Sequence, residues 1–472
     1  MADTVTDSLA PARADAPVKP ENELRHKRQK MSEWTKVTTA AQLLEAVHQR
    51  APAVEVRGVL RGMPMITLAP GTRLRGGTLE FGAKGVRLTR DNVLEDVTIR
   101  TPDHEAAILN DTSQDALGTL ALRRVRTRGQ VLLLACGAVR SGHVQVEGLT
   151  VEAADVRGRV ERPHGFGVDA LQGAFTLWNQ QPDTAVEITA ELLDLSVGSA
   201  EQPVRGSGVF VGGHGDWSGA PDGGTVRVTT LRTGEIHTDG GIPAGTPDLI
   251  GGGVFVISGA TVDSVLTIGP VTSYGQNDMV LDNWGQVRCW AATAPVVSHG
   301  PSGIGFVNFG NLDRLDVRAP IVTHGTGARG FNLYDGSLRH ASFSSIATTG
   351  DGAVGIQVSR ELPLLEISGD LTTSGGTGTS LVRGVQVPLQ AIALSIKPGG
   401  RIGRVEVGGR IATEGDRLAT VEIDGELGDL VVGGGIRAAG RGSDGVRVSG
   451  EGTDLSAVEI TVADGQAVVR RP

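Results

Sequence analysis

Short apolar stretches alternate with polar residues along most of the chain, punctuated by Gly, Asp and Asn. Alternation with period 2 marks half-buried strands. Val54–Val56, Thr78–Phe81, Val86–Leu88, Val93–Ile99 and Leu120–Val125 read this way. One stretch has helical spacing instead. Thr39 is placed as the N-cap of a helix over Ala40–Gln49, with Leu43, Leu44 and Val47 on one side. The pattern predicts an all-β chain whose single helix covers the open end of the first coil.

The strands repeat. Val271–Gly275, Val296–Gly300, Ile321–Gly325, Ile346–Gly350 and Leu371–Gly375 are variants of one phrase, each starting 25 residues after the last. The phrase returns at Ile411–Thr413 and Ile436–Ala438. A fixed period of about 20–50 residues is the signature of stacked repeats. Within one coil, Leu315–Val317, Ile321–Thr323 and Phe331–Leu333 are three short strands joined by Gly-rich corners. That unit predicts a single-domain parallel β-helix with coils of about 25 residues. Residues 1–32 read as a disordered tail, 33–52 as a capping helix region and 53–472 as the β-helix. The polar segments Arg162–Asp169, Thr176–Gln181, Gly213–Trp217 and Pro243–Asp248 read as loops thrown out from the coils.

Composition changes this picture little. The 69 Gly and 3% aromatic content fit tight turns and short strands. A net charge of −9 gives no basic stripe for nucleic acid. No apolar run is long enough to span a membrane, and Met1–Lys30 lacks the apolar core of a signal peptide, so a cytoplasmic location is expected. Cys136 and Cys289 are too few for a disulfide framework and read as buried thiols.

Stacked coils allow columns to be read. The third position of the phrase is Thr238, Ser273, Ser298, Thr323, Thr348, Thr373, Thr413, then Ala438. It is expected to point inward as a hydroxyl ladder bonded from coil to coil. The fourth position points outward: Asp239, Tyr274, His299, His324, Thr349, Ser374, Glu414 and Ala439. Neighbouring imidazoles resist double protonation, which leaves one available as a base, and a tyrosine beside them can serve as an acid. Tyr274, His299 and His324 are therefore the candidate catalytic residues. On the third strand, Val280, Phe306, Phe331, Ile356 and Val385 are aligned as inward. The same alignment puts Asn332 and Gln357 outside, with Asn283, Phe309, Tyr334, Trp284, Asp335 and Arg360 just beyond. Amides, charges and flat rings in one strip suit a sugar. Together with Asp239 they are the candidate substrate-binding residues, and Asp335 and Arg360 are spaced to pair.

The repeat pattern resembles the right-handed parallel β-helix proteins of the pectin-lyase-like superfamily, over most of residues 50–465. That resemblance implies a lyase, epimerase or glycoside hydrolase acting on carbohydrate in a lateral groove. Gly213–Gly215 matches the Gly-His-Gly string of polygalacturonase-like enzymes, but Asn311–Asp313 follows it and the chain has no Asp-Asp. Arg162–Gly165 shares only Pro-His with the Asp-Pro-His-Asp of mannuronan epimerase-like enzymes. His214-Gly-Asp216 and His237-Thr-Asp239 lack further ligands for a metal, and Asp278 and Asp282 read as turn caps or as a carboxylate pair. The expectation is a carbohydrate-acting protein with no cofactor or metal, whose partner is a saccharide or another polyhydroxylated small ligand. A non-catalytic β-helix scaffold or binding protein is the alternative. The oligomeric state is open.

Overall fold

Each coil is built from three strand segments, and each segment pairs in parallel with its counterpart one coil away. On the long face, Val262, Val287, Leu312 and Leu338 align. On the short face the alignment runs Ile236, Val271, Val296, Ile321, Ile346, Leu371, Ile411, Ile436. This is the register expected from the repeated phrase. On the third face it runs Val254, Leu281, Phe306, Phe331, Ile356, Leu394, Val421, Val446. All of these side chains are buried in one continuous core along the axis. The protein is thus a parallel β-helix, seen in a computed structural model that describes residues 34–471 except 217, 383–384 and 450–452. The tail expected over 1–32 lies outside the described residues.

The helix spans Ala40–His48, and Thr39 Oγ1 accepts a hydrogen bond from the Gln42 N–H at 3.2 Å. Leu43 and Ala46 are buried against the first coil, whereas Leu44 is exposed. Leu44 was expected on the buried side, but the contact stripe runs 43–46–47. No helix among the described residues is long and apolar enough to cross a membrane.

The inward hydroxyls are buried as expected, but they do not bond from coil to coil. Thr238, Ser273, Ser298 and Thr323 have no hydrogen-bond partner for their hydroxyls. Thr348 and Thr373 donate to carbonyls at the corner that follows, Ala353 O and Ala391 O, and Thr413 meets Thr420. In-register stacking sets equivalent atoms about 4.8 Å apart, too far for an O–H···O bond of about 2.7 Å.

Two other expectations are corrected. Thr176–Gln181 is not a loop: Gly173–Asn179 is a fully buried strand of the third face. Long strands at Glu187–Val197 and Thr225–Asp239 run between the segments read as loops. The third-face register is offset too. Phe306 stacks on Leu281, not Val280: Leu281, Phe306, Phe331 and Ile356 keep the same 25-residue interval as the short face, and Val280 misses it by one. Ile356 stacks on Leu394, not Val385, because an antiparallel hairpin, Thr377–Val382 with Val385–Gln390, is inserted between them.

Candidate functional site

The column of rings forms as the spacing predicted, and it is longer by one member. Tyr274 and His299 stack with centroids 5.2 Å apart, and His299 and His324 at 5.0 Å. His237 extends the stack, its Nδ1 3.1 Å from the Tyr274 hydroxyl and its Nε2 2.7 Å from Glu235. His324 Nδ1 lies 3.2 Å from Thr349 Oγ1. Asp239, one coil up from Tyr274, is held by Arg205 and by the Gly241 N–H. Beyond His324 the same line continues into a groove of about 340 Å³ bordered by Thr349, Ser374, Arg410 and Glu414. Burial and the neighbouring His324 hold the His299 pKa below its usual value, and burial raises that of Tyr274. The native state therefore binds fewer protons at His299 than the unfolded chain does. That contribution to stability is present above about pH 6.5 and lost as pH falls below it. The unfolding temperature of the wild type is expected to drop further between pH 8 and pH 5 than that of a His299→Gln variant. Superimposable pH profiles would remove the ring column as the cause.

The expected sugar-binding strip is occupied by the protein itself. Asn283 and Asn332 are fully buried, and Trp284 and Gln357 nearly so. Asn283 sits in a corner, its amide donating to Asn308 Oδ1 at 2.8 Å. Trp284 donates its indole N–H to Asp282 at 3.0 Å. Over the strip lies the tip of a hairpin, His164–Gly165 paired with Val168–Ala170. Its two turn residues, Phe166 (φ 54°) and Gly167 (φ 85°), both have the left-handed backbone of a tight two-residue hairpin turn. The turn drives the Phe166 ring onto Phe309 (4.5 Å, stacked) and edge-on to Trp284 (5.3 Å). Tyr334 stacks on the far side of Phe309 at 5.1 Å. These rings form a second hydrophobic cluster outside the coil. Asp335 and Arg360 pair as the spacing suggested, at 2.8 Å, on the exposed rim. The strip and the ring column thus lie on different faces of the β-helix, the column at the end of the short-face strands and the strip at the end of the third-face strands.

A different cavity gathers chemistry. A cleft of about 480 Å³ opens between the segment Val160–His164 and the loop Gly213–Asp216, with Trp178, Ile257 and Ser258 also lining it. The hairpin that plugs the aromatic strip places His164 opposite Asp169, and His164 Nδ1 meets that carboxylate at 2.7 Å. Across the cleft, His214 Nδ1 is 2.5 Å from Asp222 Oδ1. The His214 loop is braced by its own backbone, His214 N–H to Gly224 O, and by Asp216 Oδ1 accepting from the Ser218 and Ala220 N–H groups. Trp178 anchors the loop from below through its indole N–H to Gly213 O at 3.1 Å. Two buried polar atoms of cleft residues, Arg162 Nε and Ser258 Oγ, have no hydrogen-bond partner. The sequence showed the Pro-His and Gly-His-Gly strings but not their meeting. The signal for it is the spacing of His164 and Asp169 across a Phe-Gly turn, which makes them facing residues of one hairpin.

Asp278 and Asp282 do not form a carboxylate pair. Each is fully buried with its pKa pushed up by burial, Asp278 to about 7. Asp278 instead caps the Gly240 and Gly275 N–H groups. Among the described residues no three His, Cys, Asp or Glu side chains are grouped to hold a metal. No family model matches the chain, and neither a curated protein nor a solved structure is significantly similar to it.

Proposed function

We propose that the protein binds an acidic saccharide in the cleft between Val160–His164 and Gly213–Asp216 and acts on it by proton transfer. One observation carries this reading: two imidazoles, each oriented by its own carboxylate, border the same cavity as the partnerless Arg162 Nε and Ser258 Oγ. The volume lies within the range of about 300–1,000 Å³ typical of small-ligand sites. An indole wall with amide, hydroxyl and charged neighbours suits a sugar ring, and a guanidinium suits a sugar carboxylate. A carboxylate on Nδ1 fixes the tautomer with its lone pair on Nε2, the form of a general base.

With a uronate, such a base removes the proton next to the carboxylate. The electron pair forms a carbon–carbon double bond and expels the glycosidic oxygen, which takes a proton from the second imidazole acting as acid. The resemblance to pectin-lyase-like proteins supports this by fold analogy alone. Incubation with uronate-containing oligosaccharides is expected to give the ultraviolet absorbance of an unsaturated product. His214→Asn is expected to lower that rate about 100-fold with unchanged circular dichroism. Undiminished rates in both His214→Asn and His164→Asn would sink the site. Binding in ligand-observed NMR without product would replace the enzyme reading by that of a saccharide-binding scaffold.

A further inference from the structure

Arg329 is 1% exposed and has no carboxylate partner among the described residues. Its Nη1 donates to Ser380 Oγ at 2.9 Å and more distantly to Gly327 O at 3.5 Å. Its Nε and Nη2 have no partner. These two atoms are not a random pair. They form one edge of the guanidinium, whose parallel N–H bonds match the two oxygens of a carboxylate or phosphate. Three residues on, Asn332 is fully buried with both amide atoms partnerless. In the strand Arg329–Leu333 both Gly330 and Phe331 face the core, a break in the alternation that leaves Arg329 and Asn332 together on the outer side, where their counterparts one coil away, Ile304 and Val307, also lie.

The repeat supplies an internal control. The column through position 329 reads Met279, Ile304, Arg329, Val354, apolar in the three neighbouring coils and charged only here among the four. Packing on this face does not call for a cation. A buried charge without a counter-charge is strongly unfavourable, and only one of the four coils carries it. Burial lowers the Arg329 pKa to about 10, which leaves it charged at neutral pH. The first strand of the inserted hairpin, Thr377–Val382, reaches the site through Ser380, whose Oγ also donates to Gly327 O at 2.6 Å.

The geometry points to a binding site for a small oxyanion, a carboxylate or a phosphate, held by the Nε–Nη2 edge of Arg329 and the Asn332 amide beside this hairpin. It is separate from the His164–His214 cleft and does not rest on the reading given to that cleft. The test is thermal unfolding of the full chain in sodium phosphate and in sodium acetate, each against sodium chloride at equal ionic strength, for the wild type and for Arg329→Met. The expected result is a saturable rise of about 2 °C or more for the wild type over chloride in at least one arm, and none for Arg329→Met. The arm that responds names the oxyanion. Met already occupies this column at 279, so the variant is expected to fold and, in chloride, to unfold no earlier than the wild type. No excess over chloride in either arm, or an equal rise in both proteins, overturns the site.

Discussion

Replacing Gly325 by alanine is expected to destabilise the coils around it by about 3 kcal/mol or more, the upper part of the range for overpacking. A Cβ on Gly325 would sit 1.8 Å from Gly300 O. The same contact recurs up the column: Gly300 on Gly275 O at 1.8 Å, Gly350 on Gly325 O at 2.0 Å, Gly375 on Gly350 O at 2.0 Å and Gly440 on Gly415 O at 2.0 Å. None of these glycines has a left-handed backbone, so the constraint is space and not dihedral freedom. Nor can the coils part to make room. The residue before each glycine is hydrogen-bonded to the coil above, His324 N–H to Ser298 O at 2.8 Å and Thr349 N–H to Thr323 O at 2.9 Å. In a stacked-repeat protein each coil leans only on its neighbours, so faster amide exchange should be confined to the coils flanking residue 325. Gly82→Ala is the control: it has an ordinary backbone and nothing within 4 Å of an added Cβ, and should change stability by no more than about 0.5 kcal/mol. Denaturant midpoints that coincide for Gly325→Ala and the wild type would mean that close stacking does not select this glycine.

That glycine also shows why the architecture is legible in the sequence. The short face allows one strand length, one inward hydroxyl and one tight corner, so its phrase recurs at a constant interval and its register can be counted. The ring column is legible for the same reason: equivalent positions of adjacent coils must stack at the strand spacing. The third face can be counted only as far as Ile356, because the inserted hairpin, Thr377–Val382 with Val385–Gln390, lengthens the coil that follows. Alternation also says which side of a strand faces out without saying what lies over it. Asn332, Gln357 and Trp284 face away from the coil, yet Phe166 and its hairpin, far away in sequence, help seal that surface. The cleft depends on equally distant partners. His164 and His214 come from separate insertions, and Trp178, read as a loop residue, belongs to a buried strand beneath them.

Asp278→Asn is expected to make the protein more stable at alkaline pH and to flatten its pH dependence. Asp278 is sealed where three glycines close around it. A Cβ on Gly240 or Gly251 would lie 2.5 or 2.7 Å from its Oδ1, and one on Gly275 would lie 2.6 Å from its Oδ2. Oδ2 accepts from the Gly275 N–H at 2.9 Å and the Gly240 N–H at 3.2 Å, and Oδ1 has no partner. Burial is the largest influence on this carboxyl and outweighs the two N–H bonds. The nearby Asp239 pushes in the same direction as burial and Arg205 opposes it, and the pKa rises from 3.8 to about 7. The folded state therefore holds a proton that the unfolded chain has released. Stability falls as pH rises from about 4 through 7 and levels off above, the opposite slope to that of His299. The displacement corresponds to on the order of 4 kcal/mol once the group must ionise inside the fold. Asparagine keeps an oxygen for the two N–H groups and never ionises, so it recovers part of that sum. Unfolding midpoints at pH 5 and pH 8.5 check the prediction. The variant should gain on the wild type by a few kcal/mol at the higher pH, and the gap should shrink or reverse at the lower. A gap that is the same at both would show that Asp278 does not titrate in this range.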